Sequence, residues 1–341
     1  MTTKRKIAIV ILNWNGISLF NTFLPSVLRN SRMEGVTFYV ADNGSTDCSV
    51  EFLRKEFPEV KTINLDSNYG FAGGYNRALQ QVDADIFVLL NSDVEVSPGW
   101  LIPCINRLND DPGIAAVQPK ILSYQNRNQF EYAGAAGGYI DRWGFPFCRG
   151  RILSAVEEDH GQYDQSASIF WATGACLFIR SDVFTGSGGF DEDFFAHMEE
   201  IDFCWRVKNQ GWKIVFEPRS VVYHLGGATL SYQSPQKVYL NFRNSLWMLT
   251  KNLPKGRFLS VMLFRLILDG VAALNFLVTG QFSAFRAVFM AHMAFYKTLR
   301  KTLKKRASLL PSAKIRAHPE IFQGSMVFGF YVKKYRKFTD F

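Results

Sequence analysis

Within the first 120 residues five short apolar runs alternate with helix-patterned stretches, and this order leaves the chain few folds to choose from. Residues 7–13, 36–42, 60–65, 85–91 and 114–118 are rich in Ile, Val, Leu and Phe and are short enough to be strands. Residues around 18–30, 47–57, 72–82 and 98–109 carry the longer period of amphipathic helices. Strand-helix-strand order calls for crossover connections, and so predicts an α/β fold with a mostly parallel, twisted sheet. Sheets of this kind bind ligands beyond the carboxyl ends of their strands. Asp42 closes the second run, in Val40–Asp47 (VADNGSTD), and Asp93 follows the fourth, in Leu89–Val94 (LLNSDV). Both acids are therefore expected on the ligand-binding edge, where they suit a metal and a nucleotide.

Residues 121–170 are irregular and rich in Gly, Tyr and Trp, as expected of loops over a cleft, and Trp212–Phe216 reads as a further strand. The glycine-rich segment Asn68–Asn76 (NYGFAGGYN) joins the third strand to a helix, where Gly70, Gly73 and Gly74 leave room for a close backbone approach and the helix amides suit phosphate. Its spacing is neither a dinucleotide fingerprint nor a P-loop.

With 341 residues, 48% of them hydrophobic and 20% charged, the chain can bury a full core and has room for an appendage. Five cysteines without C-x-x-C spacing argue against a disulfide framework or thiolate zinc site and fit a reducing compartment. The N-terminal apolar run is too short for a signal-peptide core and is expected to be the first strand. Charge divides the chain in two. Residues 1–235 hold 20 Lys+Arg against 27 Asp+Glu, net −7, and residues 236–341 hold 19 against 3, net +16. The first part is expected to be the α/β catalytic domain and the second a basic, apolar helical region. That tail is full of Leu, Phe, Val and Met and has no nucleic-acid-binding signature, so a membrane surface is the expected partner and nucleic acid is not. Phe258–Thr279 is nearly long enough to span a bilayer, but Arg265 and Asp269 fall near its middle. Four residues apart, they can pair on one helix face, as in a helix packed on the enzyme or lying at the interface. Six basic residues between Lys297 and Arg306 supply the expected electrostatic contact for peripheral attachment.

As an ordered set, Asn13–Gly16 (NWNG), Val40–Asp47, Asn68–Asn76, Leu89–Val94, Thr173–Arg180 (TGACLFIR), Gly188–Phe195 (GGFDEDFF), His197–Arg206 (HMEEIDFCWR) and Val222–Gly227 (VYHLGG) resemble the signature of family 2 inverting glycosyltransferases, especially the rhamnosyltransferase-like branch. The resemblance covers residues 7 to about 230. It implies a GT-A fold, Rossmann-like with helices flanking the sheet, a nucleotide-diphosphate sugar donor and a divalent cation, Mg²⁺ or Mn²⁺. Asp93 matches the metal position of a D-x-D-type motif whose first member here is Asn91, with Ser92 between them, and His224 matches the imidazole that completes the metal site. Asp42 matches the acid that accepts a pyrimidine N3–H, with Asn13 beside it, while Asn68 and Gly73 fall on the donor side.

Inversion needs one general base on the acceptor side. The family's E-D-x-D aspartate aligns with Glu200, leaving Glu199 and Asp202 as alternatives; acids in a first helical turn also suit the helix dipole. The resemblance further implies rhamnose from dTDP-rhamnose, a glycan or lipid-linked glycan acceptor in cell-surface polysaccharide synthesis, and peripheral attachment at the cytoplasmic face of the bacterial inner membrane. A UDP-hexose or UDP-galactofuranose is the alternative donor. Further alternatives are a nucleotidyltransferase, which lacks the expected basic phosphate loop near the first strand, and a non-catalytic sugar-binding protein, which donor hydrolysis would exclude.

Overall fold

The structure, a computed structural model, describes residues 5–226 and 234–341. Gly227 of the VYHLGG segment lies outside the described residues. The predicted alternation is present as β1 (Ile7–Asn13), α1 (Ile17–Ser31), β2 (Val36–Asn43), α2 (Ser49–Glu56), β3 (Lys61–Leu65), α3 (Gly70–Leu79) and β4 (Ile86–Asn91). Strands β1 and β4 are buried on both faces, which is why their sequences are continuous apolar runs. Asp47 ties the first loops together: one carboxylate oxygen accepts from Ile17 N at 2.9 Å, opening α1, and the other accepts from Ser49 N at 3.2 Å, opening α2.

Beyond β4 come β5 (Val94–Val96), α4 (Leu101–Asp110) and β6 (Ile114–Ser123). The segment expected to be irregular holds β7 (Gly138–Asp141), β8 (Pro146–Cys148), β9 (Arg151–Ile152) and β10 (Ala155–Val156), and is followed by β11 (Ala167–Ser168). Then follow β12 (Cys176–Arg180), α5 (Ser181–Gly186), α6 (Glu199–Asn209) and β13 (Lys213–His224). The C-terminal region supplies α7 (Pro235–Asn252), α8 (Lys255–Val278), α9 (Phe282–Leu309), β14 (Ile321–Phe322) and α10 (Met326–Tyr331).

The main sheet runs β11-β13-β6-β12-β4-β1-β2-β3, with β5 paired to β13. Pairings among β4, β1, β2 and β3 are parallel, as is β6 with β13, whereas β12 is inserted antiparallel between β4 and β6. The loops expected over residues 121–170 are in part a second sheet, β10-β9-β8-β7-β14. Its strands have two to four residues, too few for a period-2 pattern to show in sequence.

The basic tail is packed on the α/β part. Leu246, Met248 and Leu249 of α7, Val261 of α8 and Phe295 of α9 belong to the same buried cluster as Val10 and Leu89 of the sheet. Arg265 and Asp269 lie 3.5 Å apart on the inward face of α8. The Arg265 guanidinium stacks on Phe145 at 3.9 Å and donates to Ser245 Oγ at 3.0 Å.

The reading of Lys297–Arg306 as six membrane-facing cations needs correction. Lys301 pairs with Asp193 at 2.6 Å, Lys305 with Asp191 at 2.5 Å, and buried Arg306 donates to Thr250 O at 2.7 Å. Part of the −7/+16 charge division is thus complementarity inside one molecule. Sequence order hides it because the partners lie more than 100 residues apart.

Candidate functional site

Strand register assembles the carboxyl edge. Leu12 stands opposite Asn91, Asn13 opposite Asp42 and Asp42 opposite Asn64, so the ends of β4, β1, β2 and β3 form one row. At the β1–β2 position, buried Asn13 donates through Nδ2 to Asp42 Oδ1 at 2.9 Å and to Ser45 Oγ at 3.0 Å, and Ser45 N donates to Asp42 Oδ2 at 3.0 Å. Asn13 Oδ1 is buried without a hydrogen-bond partner and lies against Gly16, where a Cβ would come within 2.5 Å of it.

Beside it, Asn43 organises the glycine-rich segment. Its Nδ2 donates to Asn68 Oδ1 at 3.1 Å and to Gly70 O at 3.0 Å, and its Oδ1 accepts from Tyr69 N at 3.1 Å. The glycines sit where protein packs closely, as a tight strand-to-helix turn requires. Gly70 has φ +69°, and a Cβ there would lie 2.5 Å from Phe195. One on Gly73 would meet Tyr69 at 2.9 Å and Arg77 at 3.0 Å, and one on Gly74 would meet Leu12 at 2.8 Å. What these glycines admit is protein, packed tightly around the start of α3.

The second cluster is built by β5 and β13. Their antiparallel register sets His224 opposite Val94, and Leu225 N donates to Asp93 O at 3.1 Å, so the turn carrying Asp93 lies against the end of β13. His224 Nε2 lies 3.1 Å from Asp93 Oδ1 and 3.4 Å from the Asn91 side-chain amide, while Nδ1 faces Glu131 Oε2 at 3.4 Å without hydrogen-bond geometry. Half-buried Ser92 lies in the turn between Asn91 and Asp93. Burial opposes ionisation of Asp93, but the His224 imidazole outweighs it and holds the carboxyl below its ordinary range. Burial likewise disfavours the His224 cation, and Glu131 and Asp93 outweigh it, raising the imidazole to about 10.

Asn91 and Asp93 are thus brought together with His224, which is 133 residues from Asn91 in sequence. Glu131 is a residue that sequence reasoning missed, because nothing in its irregular segment marks it. Among the described residues no group of three or more His, Cys, Asp or Glu forms a complete metal cage. The donor set nevertheless fits a divalent cation: one carboxylate, one imidazole and one amide converge at strand ends, with oxygen and nitrogen donors that Mn²⁺ accepts.

The third group lies on α6. Glu199 and Glu200 open this helix, and each has a buried oxygen, Oε2, without a partner. Burial and then the charge of Glu200 push the Glu199 carboxyl far up; burial raises Glu200 to about 7. Asp202, weighed as a base, is completely buried and already engaged: Arg206 Nε donates to it at 2.9 Å, Lys251 Nζ at 2.8 Å and Asn252 Nδ2 at 2.8 Å. Its role is to fasten α6 to α7.

The approach to α6 is strained. Phe195, His197 and Met198 all have positive φ, at 64°, 69° and 70°, a concentration typical of functional turns. Asn244 of α7, fully buried, clamps this turn, its Nδ2 lying 3.0, 2.8 and 2.8 Å from the carbonyl oxygens of Phe194, Ala196 and His197. Sequence reasoning missed Asn244 as well.

The loop before β12 connects α6 with the strand edge, since Ala172 N donates to Cys204 Sγ at 3.4 Å and Asn91 N donates to Ala175 O at 3.0 Å.

A mostly parallel sheet with polar groups gathered on its carboxyl edge, and a helix opening on buried Glu199 and half-buried Glu200, is the GT-A architecture of nucleotide-sugar transferases. A sequence profile described as glycosyltransferase like family 2 matches residues 4–244, and the chain belongs to that family of enzymes. The N-acetylglucosaminyl-diphospho-decaprenol L-rhamnosyltransferase of Mycobacterium tuberculosis is 27% identical over 205 residues, which cover 55% of this chain and 66%, just under two thirds, of the relative. The low-salt glycan biosynthesis hexosyltransferase Agl10 of Haloferax volcanii is 24% identical over 221 residues, 63% of this chain and 67% of its own length. Among solved structures, a Pyrobaculum calidifontis mannosyltransferase in complex with GDP-Man and Mn²⁺ superposes with a TM-score of 0.52 at 14% identity, covering 91% of this chain and 86% of that one. S. aureus TarS 1-349 in complex with UDP-GlcNAc gives 0.55 at 14% identity, covering 89% and 92%. These likenesses establish the fold.

Proposed function

We propose that the chain is an inverting, divalent-cation-dependent glycosyltransferase that moves rhamnose from dTDP-rhamnose to a lipid-linked glycan, at the cytoplasmic face of the inner membrane, in cell-surface polysaccharide synthesis. The observation that carries the reading is the convergence of Asp93 and His224 beside Asn91 at the strand edge. The rhamnosyl donor and lipid-linked acceptor rest on the mycobacterial relative's named activity, and the cation on the neighbour solved with Mn²⁺.

In this reading Asp42 accepts the N3–H of the thymine base, and Asn13, which donates to Asp42 Oδ1 at 2.9 Å, holds that carboxylate in place. Asp93 and His224, with Asn91, would hold the cation, whose chemistry is to offset the charge of the departing diphosphate. The Glu200 carboxylate takes the proton of the attacking acceptor hydroxyl as the diphosphate departs. Its raised pKa suits this work, because a base near the operating pH is both available and strong enough. Glu199, whose carboxyl burial keeps protonated, leaves Glu200 as the acid that ionises first.

The test is nucleotide-diphosphate release by the purified full chain with dTDP- and UDP-sugars and Mg²⁺ or Mn²⁺. Asp93→Asn removes a charged ligand with little change in volume and is expected to abolish cation-stimulated release while the chain stays folded. Full activity of that variant at saturating cation would refute the assignment.

A further inference from the structure

The exposed side of the α8–α9 hairpin is apolar over most of its length. On α8, Leu259, Leu263, Ile267, Val271, Leu274 and Val278 are 57–85% exposed. At the helical repeat they fall within an arc of about 120°. Val261, Met262, Arg265 and Asp269 are buried and face the opposite way, onto the enzyme. From Leu259 to Val278 the stripe runs roughly 28 Å at the helical rise. Helix α9 adds exposed Phe282, Phe289, Met293 and Tyr296. Soluble monomers seldom expose contiguous apolar patches beyond a few hundred Å².

Charge decides what covers this face. The sole acid between Lys255 and Leu309 is Asp269, and it is buried beneath α8 against Arg265 and His292. Exposed Arg286, Lys297, Arg300 and Lys304 accompany the apolar residues of α9. A second copy laid face to face would oppose cation to cation, whereas an anionic lipid surface offers acyl chains to the stripe and headgroups to the cations. Spanning is disfavoured because Arg265 and Asp269 anchor the middle of α8 to the protein.

We infer that the α8–α9 hairpin is a monotopic membrane-insertion surface, its apolar face embedded in one leaflet of an anionic bilayer and its inward face carrying the enzyme. This deepens the membrane-facing part of the function proposed above and rests on it. It also adds the apolar face to the contact made by the exposed cations of the Lys297–Arg306 run.

The test uses the full chain in flotation with vesicles of phosphatidylcholine alone and of phosphatidylcholine mixed with phosphatidylglycerol. The parent chain is expected to float with both, more strongly with the anionic mixture. Leu263→Glu combined with Leu274→Glu should lower the bound-to-free ratio by about tenfold or more on both, with donor hydrolysis in solution unchanged. Flotation of the double variant equal to that of the parent would overturn the inference. So would a dimer of the parent in sedimentation, without lipid, that the same substitutions convert to monomer.

A second measurement avoids any folding defect in the charged variant. Ile267→Cys in a Cys48→Ser chain, labelled with an environment-sensitive fluorophore, should shift its emission to the blue on adding anionic vesicles. No shift would count against insertion. Flotation and emission shift without any donor turnover would leave this surface standing and sink the transferase reading instead.

Discussion

Replacing Asn244 with Ala should damage catalysis while leaving the protein folded. The amide has two N–H groups aimed at three carbonyl oxygens of the turn before α6, that of Phe194 buried and those of Ala196 and His197 partly so. Three residues of that turn have positive φ, and such conformations cost about 1–3 kcal/mol each, so the turn holds several kcal/mol of strain. Removing the donors leaves these carbonyls unpaired at about 1–3 kcal/mol each. The lost restraint is thus comparable to the stored strain, and the turn can relax locally and move Glu199 and Glu200 with it. A displacement of about 1 Å at a reacting group can cost roughly 10²-fold. Turnover by Asn244→Ala is therefore expected to fall about 10- to 100-fold with donor KM nearly unchanged. Relaxation would also let water reach Glu200 and shift the inflection in the pH-rate profile below about 7. The assay is nucleotide-diphosphate release across pH, with circular dichroism to confirm folding. A folded variant with the parent's kcat and inflection would refute the clamp.

Other expectations follow from the same geometry. Lys251→Met removes the buried cation shared by Asp191 and Asp202 and should lower stability by about 3–5 kcal/mol in urea unfolding; a loss below about 1 kcal/mol would mean that the network contributes little. Glu200→Gln should be as stable as the parent below about pH 4.5 and more stable above pH 7, by about 3 kcal/mol at most. The folded-state pKa of Glu200 lies above its unfolded value, so the parent loses stability as pH rises between the two; unfolding curves that stay superimposed across that range would contradict the burial argument. Asp42→Ala should mainly raise the donor KM, because base recognition is made equally in ground and transition states, and a pure kcat effect would place Asp42 at the reaction centre.

What could be read in the sequence tracks how local its cause is. Strands β1 to β4 announce themselves because burial on both faces demands continuous apolar residues, and Asp42 and Asp93 follow from where those runs stop. The antiparallel insertion of β12 could not be seen, since Cys176–Arg180 carries no mark of strand direction. The second sheet was invisible because its strands are only two to four residues long, and its last strand joins through the distant pairing of Ile321 with Ile140. At the site, neither the Glu131 contact with His224 nor the Asn244 clamp follows from any spacing. The basic run Lys297–Arg306 was misread in part, because Lys301 and Lys305 look free until Asp191 and Asp193 are folded against them.

The central claim, that Glu200 is the base of a nucleotide-sugar transferase, is tested most directly by the pH dependence of turnover in the parent chain, Glu200→Gln and Glu199→Gln, with dTDP-rhamnose, acceptor and Mn²⁺. The parent rate should rise with pH through about 7 and then level, since the base works deprotonated. Glu200→Gln should lose a factor of about 10²–10⁴ in kcat together with that inflection, with donor KM nearly unchanged. A Glu200→Gln enzyme that keeps both its rate and its inflection, while Glu199→Gln loses them, would contradict the account.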